Sequence, residues 1–168
     1  MYYSGIKEFD ISNGPGIRTS LYVSGCTHQC PGCFNESTWD FDSGNPFTEK
    51  EVARLLKALG DKDGFSLLGG DPLDNICEDL ISLCETIKKM YPNKNIWLWT
   101  GYTWDRIRED NTKREFIEKY IDVVVDGRFV ESKKDIKLKY KGSTNQCVID
   151  VKQSIKEKTK IILEKYNN

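Results

Sequence analysis

Short apolar runs alternate along the chain with stretches whose apolar positions recur at helical spacing. Thr19–Val23 reads as a first strand, and a loop rich in Cys, Gly and Pro follows from Gly25 to Asn45. Thr48 and Glu51 have the spacing of a capping box, and Val52, Leu55, Leu56 and Leu59 then share one helical face up to Gly60. Phe65–Leu68 predicts a second strand that ends at Gly69-Gly70-Asp71-Pro72. Asn75 is the expected cap of a helix whose inner face carries Ile76, Leu80, Leu83, Cys84 and Ile87, stopped before Pro92. Ile96–Thr100 and Ile121–Val125 predict the third and fourth strands, with a helical segment around Trp104–Tyr120 between them. Cys147–Ile149 predicts a fifth, and a last helix places Val151, Ile155, Ile162 and Tyr166 on roughly one face.

A repeating strand–helix pattern predicts the α/β class, with a mostly parallel sheet and helical crossovers. The 168 residues suit one domain, 1–168. A closed eight-fold barrel takes ~250 residues, so about five or six strands in an open, partial (β/α) barrel are expected. Ligands in such folds sit at the C-terminal ends of the strands, where every distinctive motif of this chain falls.

Composition narrows the classes of function. Apolar residues make up 38%, enough for one core. The 25 basic and 26 acidic side chains nearly cancel, so no net field favours nucleic acid or an anionic membrane. Residues 132–168 hold ten Lys and four acidic residues, net +6, with Lys133, Lys134, Lys137, Lys139 and Lys141 clustered. That segment reads as a solvated face or as a docking surface for an acidic partner. No apolar run reaches the ~18–20 residues of a membrane helix. The N-terminal residues carry no basic head followed by an apolar stretch, so a cytoplasmic location and reduced thiols are expected for the six cysteines. His28 is the only histidine, which removes metal sites built on two or three imidazoles.

Cys26-Thr-His-Gln-Cys30-Pro-Gly-Cys33 puts three thiols within eight residues directly after the first strand. Thiolates select zinc, copper(I) or iron–sulfur clusters. Structural zinc and electron-transfer 4Fe–4S sites both need four protein ligands, and Cys77, Cys84 and Cys147 do not stand at local ligand spacing. A cubane on three cysteines leaves one iron open, as a catalytic cluster requires. The competing readings are three plain thiols, or a redox pair at Cys30 and Cys33 that leaves Cys26 without a role. Cys77 and Cys84 lie seven residues apart on one expected helix, ~10.5 Å along its axis and beyond the ~7 Å reach of a disulfide. They read, with Cys147, as small core hydrophobes.

The C-x3-C-x2-C spacing is that of the radical S-adenosylmethionine (SAM) enzymes. Further segments extend the likeness: Asn13-Gly-Pro-Gly-Ile-Arg18, Phe34-Asn35, Gly69-Gly70-Asp71-Pro72-Leu73, Trp97-Leu-Trp-Thr-Gly-Tyr102, Asp122-Val-Val-Val-Asp-Gly-Arg-Phe129 and Gly142-Ser-Thr-Asn-Gln146 before Ile149-Asp150. In this order they resemble the activating proteins of anaerobic (class III) ribonucleoside-triphosphate reductase, over nearly the whole chain. The resemblance implies an oxidoreductase in which Cys26, Cys30 and Cys33 hold a 4Fe–4S cluster and SAM chelates the open iron. One electron from a donor such as flavodoxin or ferredoxin then cleaves SAM, and the resulting radical takes a hydrogen atom from a glycine of the reductase large subunit.

The resemblance also implies a cofactor-binding set of Gly32, Cys33, Phe34, Gly69, Gly70, Asp71 and Thr100. Gly32 stands where relatives often carry an aromatic, and Phe34 falls at the adenine pocket unless it merely packs. Two glycines at a strand end allow close backbone approach, so the carbonyls there are expected to receive the ammonium group of SAM ahead of the short Asp71 side chain. Thr100-Gly101-Tyr102 and Asp126-Gly127 end their strands towards the same cavity. Asn13–Arg18 is implied to shape the entrance for the protein substrate, with Arg18 a candidate anchor. His28 shields the cluster, meets a reductant, or is a plain loop residue. The rival functions are an activase of another glycyl-radical enzyme, such as pyruvate formate-lyase, and a non-catalytic metal-binding electron-transfer module. The second requires a fourth ligand from Cys77, Cys84 or Cys147.

Overall fold

The computed structural model describes residues 1–167. One seven-stranded sheet runs through the molecule in the order β3-β1-β2-β4-β5-β6-β7. Its strands are β1 (Tyr2–Asp10), β2 (Arg18–Val23), β3 (Asn45–Pro46), β4 (Gly64–Gly69), β5 (Asn95–Trp99), β6 (Val123–Asp126) and β7 (Cys147–Asp150). The central four, β2-β4-β5-β6, are parallel, and β1 and β7 flank them antiparallel. The sheet does not close, as the chain length predicts for a partial barrel. The helices are α1 (Glu49–Leu59), α2 (Glu78–Met90), α3 (Trp104–Glu109), α4 (Asn111–Tyr120) and α5 (Val151–Glu157).

Alternation along the strands divides the two faces. Leu21, Val23, Phe65, Leu67, Ile96, Leu98, Val124 and Ile149 face the helices in one buried cluster with Leu55, Leu80, Ile107 and Ile117. The intervening Trp97, Val123, Val125 and Val148 form a second cluster on the opposite, inner face with Trp99, Tyr140, Leu163 and Tyr166. Further along that face the buried residues turn polar. Ser20 Oγ donates to Asp10 (2.6 Å), Asn13 Nδ2 donates to Asp10 and to Tyr22 Oη, and Ser66 Oγ donates to the Asn13 carbonyl.

Arg18 completes this network. Fully buried, it donates from Nε to Ser66 Oγ (2.7 Å) and from its terminal nitrogens to the carbonyls of Phe65 (2.8 Å), Pro15 (3.3 Å) and Asn95 (3.4 Å). The guanidinium lies 5.6 Å from the Trp97 ring centroid. Burial pulls its pKa down to about 10, so it stays charged at neutral pH, satisfied by dipoles and an aromatic face. The expected substrate anchor at Arg18 is therefore corrected: the side chain reaches no surface and joins the starts of β2, β4 and β5.

The capping box at Thr48 and Glu51 is present, and α1 ends at Gly60 as its spacing predicts. Other boundaries differ. Asn75 does not cap α2; a 3-10 turn over Pro72–Asp74 intervenes and Cys77 is the cap. The expected 104–120 helix breaks at Asp110, whose side chain accepts from Lys113 N and restarts the helix as α4. The last helix stops at Glu157, where Lys158 adopts left-handed backbone, and Ile162 bridges to Ile149 as extended chain. β1, which the pattern did not predict, is mostly half-exposed or exposed and carries Gly5, so it lacks an apolar run. It pairs with β3 only through Tyr2 and Tyr3, and its register with β2 slips between Lys7 and Asp10.

Arg18→Met keeps much of the buried volume and removes every donor. Its expected cost is about 2–4 kcal/mol in urea unfolding, since buried acceptors lose a charged partner. A cost under ~0.5 kcal/mol, the range of neutral surface changes, would contradict this account of the inner face.

Candidate functional site

The cysteine loop begins where β2 ends, and backbone bonds pin both its limbs. Gly25 N donates to the Thr38 carbonyl (2.7 Å) and Cys26 N to that of Trp39 (3.0 Å). The Gly25 carbonyl in turn accepts from Asp71 N (2.8 Å) and Asn75 Nδ2 (3.0 Å), which joins the loop to the turn after β4. Glycine is required at that turn. Gly69 has φ +101°, and a Cβ at Gly70 would collide with the Gly25 carbonyl. A tight turn brings Cys33 N onto the Cys30 carbonyl (3.1 Å), and Asn35 N donates to Cys33 Sγ (3.3 Å).

Cys26, Cys30 and Cys33 line one cavity of ≈400 Å³ together with Phe34, Gly69, Gly70, Asp71 and Thr100. Of the expected cluster and cofactor residues Gly32 alone lies outside it, while Tyr102 and Asp126, expected to face the same cavity, line a neighbouring hollow instead. Gly32 is exposed in the Cys30–Cys33 turn at φ +75°, and a Cβ there would meet the Glu131 side chain. The neighbouring hollow is larger, ≈830 Å³, but no thiol among the described residues lines it, so the smaller cavity is the one able to hold a thiolate-bound metal. Cys84 is buried among the helices, Cys77 caps α2 and Cys147 starts β7; none of the three lines the cavity. A fourth thiol, which a four-cysteine cluster or zinc site needs, is thus missing from the lining, and both ring nitrogens of His28, the fourth donor a Cys3His zinc site would use, are engaged by Asp71 and Arg128. Three soft donors without a fourth fit a cluster with one open iron.

Asp71, 1% exposed at its side chain, is saturated by four donors. Leu73 N (2.9 Å) reaches Oδ1, while His28 Nε2 (2.8 Å), Thr100 Oγ1 (2.8 Å) and Gly101 N (2.9 Å) converge on Oδ2. The carboxylate therefore ties together the cysteine loop, the turn after β4 and the end of β5, leaving the backbone of Gly69 and Gly70 to meet a ligand. His28 is not a plain loop residue. Its side chain is 5% exposed, edge-on to Tyr102 (4.5 Å between centroids) and seated on Gly101, where a Cβ would collide with the ring. The signal for this role was its place between two thiols. Asp74 closes the cluster, accepting from Thr27 N, Thr27 Oγ1 and Tyr102 Oη. The acidic oxygens around His28 are thus occupied by hydrogen bonds.

The opposite wall comes from two segments fastened to each other. Gln146 accepts from Gly142 N (2.8 Å) and Ser143 N (3.1 Å) and donates to the Gly127 carbonyl (2.8 Å). Asn145 Nδ2 donates to the Arg128 carbonyl (2.8 Å), and Val130 N to Ser143 Oγ (3.1 Å). Phe129 is thereby set 5.1 Å from Phe34, ring to ring, at the rim of the cavity. The lysine-rich segment serves the same wall: Leu138, Tyr140 and Lys141 line the cavity, and Trp99 Nε1 donates to the Tyr140 carbonyl (2.8 Å).

Burial pushes the Cys26 thiol up to about 11, against the lowering effect of the nearby His28 amide, and also raises Cys30. Both are protonated at neutral pH, so a metal binding there would displace a proton from each to solvent. Cys84, desolvated completely, is pushed up to about 12.

The chain matches the model of the 4Fe–4S single-cluster domain family over residues 12–149. It is 44% identical over 154 residues to the anaerobic ribonucleoside-triphosphate reductase-activating proteins of Salmonella typhi and Escherichia coli K12, covering 88% of this chain and 97% of each relative. The protein of that name from Enterobacteria phage T4 is 40% identical over 149 residues, covering 87% and 92%.

Asp71→Asn is nearly isosteric but turns one acceptor into a donor facing other donors. It should cost about 2–3 kcal/mol of unfolding free energy, and unchanged stability would refute the cross-tie. In the folded protein at pH 8, Cys84 should stay unlabelled by iodoacetamide and gain label only in urea, as peptide mass spectrometry would read.

Proposed function

The chain belongs to the 4Fe–4S single-cluster domain family and to the anaerobic ribonucleoside-triphosphate reductase-activating proteins, and on that premise we propose that it is a radical-SAM activase of that reductase. The observation that carries this reading is one cavity lined by three thiols, a Gly-Gly turn and no fourth cysteine. Cys26, Cys30 and Cys33 hold the cluster as thiolates. When bound and reduced by one electron, cluster and SAM supply methionine and a 5′-deoxyadenosyl radical, which takes a hydrogen atom from a glycine of the reductase.

The chain's own part is positioning and exclusion of water. Gly69 and Gly70 let backbone carbonyls approach the ammonium group of SAM, which the saturated Asp71 carboxylate is not free to bind. Phe34 and Phe129 offer aromatic faces to the adenine, and Leu68, Trp99 and Tyr140 give the cavity apolar walls. Ser12 and Asn13 line the cavity beside Ile11, which is 70% exposed, and Leu138 lines it near Ile136, which is 88% exposed. These exposed apolar side chains, next in sequence to residues that line the cavity, are available to meet the glycine segment as it enters. The electron comes from a flavodoxin- or ferredoxin-type donor in the cytoplasm, and no helix among the described residues is long and apolar enough to cross a membrane.

The test is anaerobic reconstitution with iron and sulfide, reduction with SAM present, and mass-spectrometric detection of 5′-deoxyadenosine. Product should form and fall to background in Cys30→Ala. With the reductase added, a glycyl-radical signal should appear in electron paramagnetic resonance (EPR). Loading should also protect Cys26, Cys30 and Cys33 from alkylation while leaving Cys77 and Cys147 as they were. A cluster that never cleaves SAM, even with the reductase present, would favour electron transfer instead, and zinc uptake in place of iron would overturn the reading.

A further inference from the structure

We propose that Arg128 is a positioning residue that acts on the SAM cavity through His28. Arg128 Nε donates to His28 Nδ1 (3.2 Å). A guanidinium only donates, so Nδ1 is the accepting nitrogen and Nε2 carries the proton that meets Asp71 Oδ2 at 2.8 Å. The arginine thus selects the one neutral tautomer that joins the cysteine loop to the Gly69-Gly70-Asp71 turn. With the other tautomer, a lone pair of Nε2 would face the carboxylate and the tie would be lost.

Three observations separate this role from packing or ion pairing. Arg128 lines the outer hollow and not the thiol cavity, while His28 lines both, so the guanidinium meets the cavity wall at the imidazole, and its charge bears on the Cys30 thiol only as a lesser, lowering influence against burial. Among the described residues Arg128 forms no ion pair, although Glu109, Asp110 and Asp126 line the same hollow. Its backbone is fixed from the far side: Asn145 holds its carbonyl, Gln146 holds that of Gly127, and Gly127 N donates to the Tyr102 carbonyl (3.0 Å). A continuous series of bonds therefore runs from the 142–146 turn through Arg128, His28 and Asp71 to Leu73 and Gly101. Its effect is to set where the thiols stand relative to the SAM-binding backbone, an inference that rests on the function proposed above.

The experiment compares the full chain with Arg128→Ala, His28→Gln and the double variant, each reconstituted anaerobically. Iron per chain and thermal melting report loading and folding. SAM affinity is read from the change in the EPR spectrum of the reduced cluster during SAM titration. Arg128 is exposed, so Arg128→Ala should fold and load iron like the parent but bind SAM about ten-fold more weakly, the scale on which groups that orient ligands act. His28→Gln can still donate towards Asp71 but has lost the imidazole acceptor. In that background Arg128→Ala should weaken SAM binding no further, because the two residues act in series. Parent-like titration in Arg128→Ala overturns the proposal, as does an equal loss in both backgrounds. A parent that loads no cluster, or whose cluster ignores SAM, overturns the underlying activase reading instead.

Discussion

The site depends on one buried carboxylate. Asp71 collects a backbone amide from its own turn, an imidazole from the cysteine loop, and a hydroxyl and an amide from the end of β5. A charge so far from water is tolerable only with donors directed at both of its oxygens. That requirement fixes three chain segments at once. It also occupies the Asp71 side chain with the frame, while the glycines beside it leave the backbone open to the cavity.

The inner face obeys the same rule with the opposite sign of charge. Arg18 lies at the starts of the parallel strands, away from the thiols, and is satisfied by three carbonyls, a serine hydroxyl and the face of Trp97. A partial barrel has no apolar plug of stacked side chains along its whole axis. Here the inner face is filled by aromatics and valines at one part and by the Asp10–Ser20–Ser66–Arg18 network at another.

The four parallel strands were legible in the sequence because each carries a short apolar run bounded by turns, although the buried Arg18, Ser20 and Ser66 within them serve a polar network that the pattern did not show. The thiol spacing was legible because it is local. β1 was not, since its residues are half-exposed and its place depends on pairing with β2. The two ends of the 104–120 segment were right, but the break at Asp110 follows from a cap that competes with helix continuation. Ile162 and Tyr166 fell on a helical period by coincidence, and the left-handed Lys158 ends the helix before them. At the site, spacing and resemblance brought out the thiols, Phe34, the Gly-Gly-Asp turn and Thr100, which line one cavity. The partners of His28 lie 43 and 100 residues away in sequence, a separation no local pattern encodes. Gly32 was assigned by analogy with bulkier residues, and a residue with no side chain left nothing to indicate its direction.

An open sheet leaves an edge exposed, and an unpaired edge is a template for polymerisation. Beyond Tyr3, the outer side of β1 is not covered by β3. The register slip between Lys7 and Asp10 and the adjacent charges of Lys7 and Glu8 make that edge irregular and costly to desolvate. The molecule can therefore keep one flank of its sheet uncovered while its edges do not offer a flat, neutral surface for a second copy to extend.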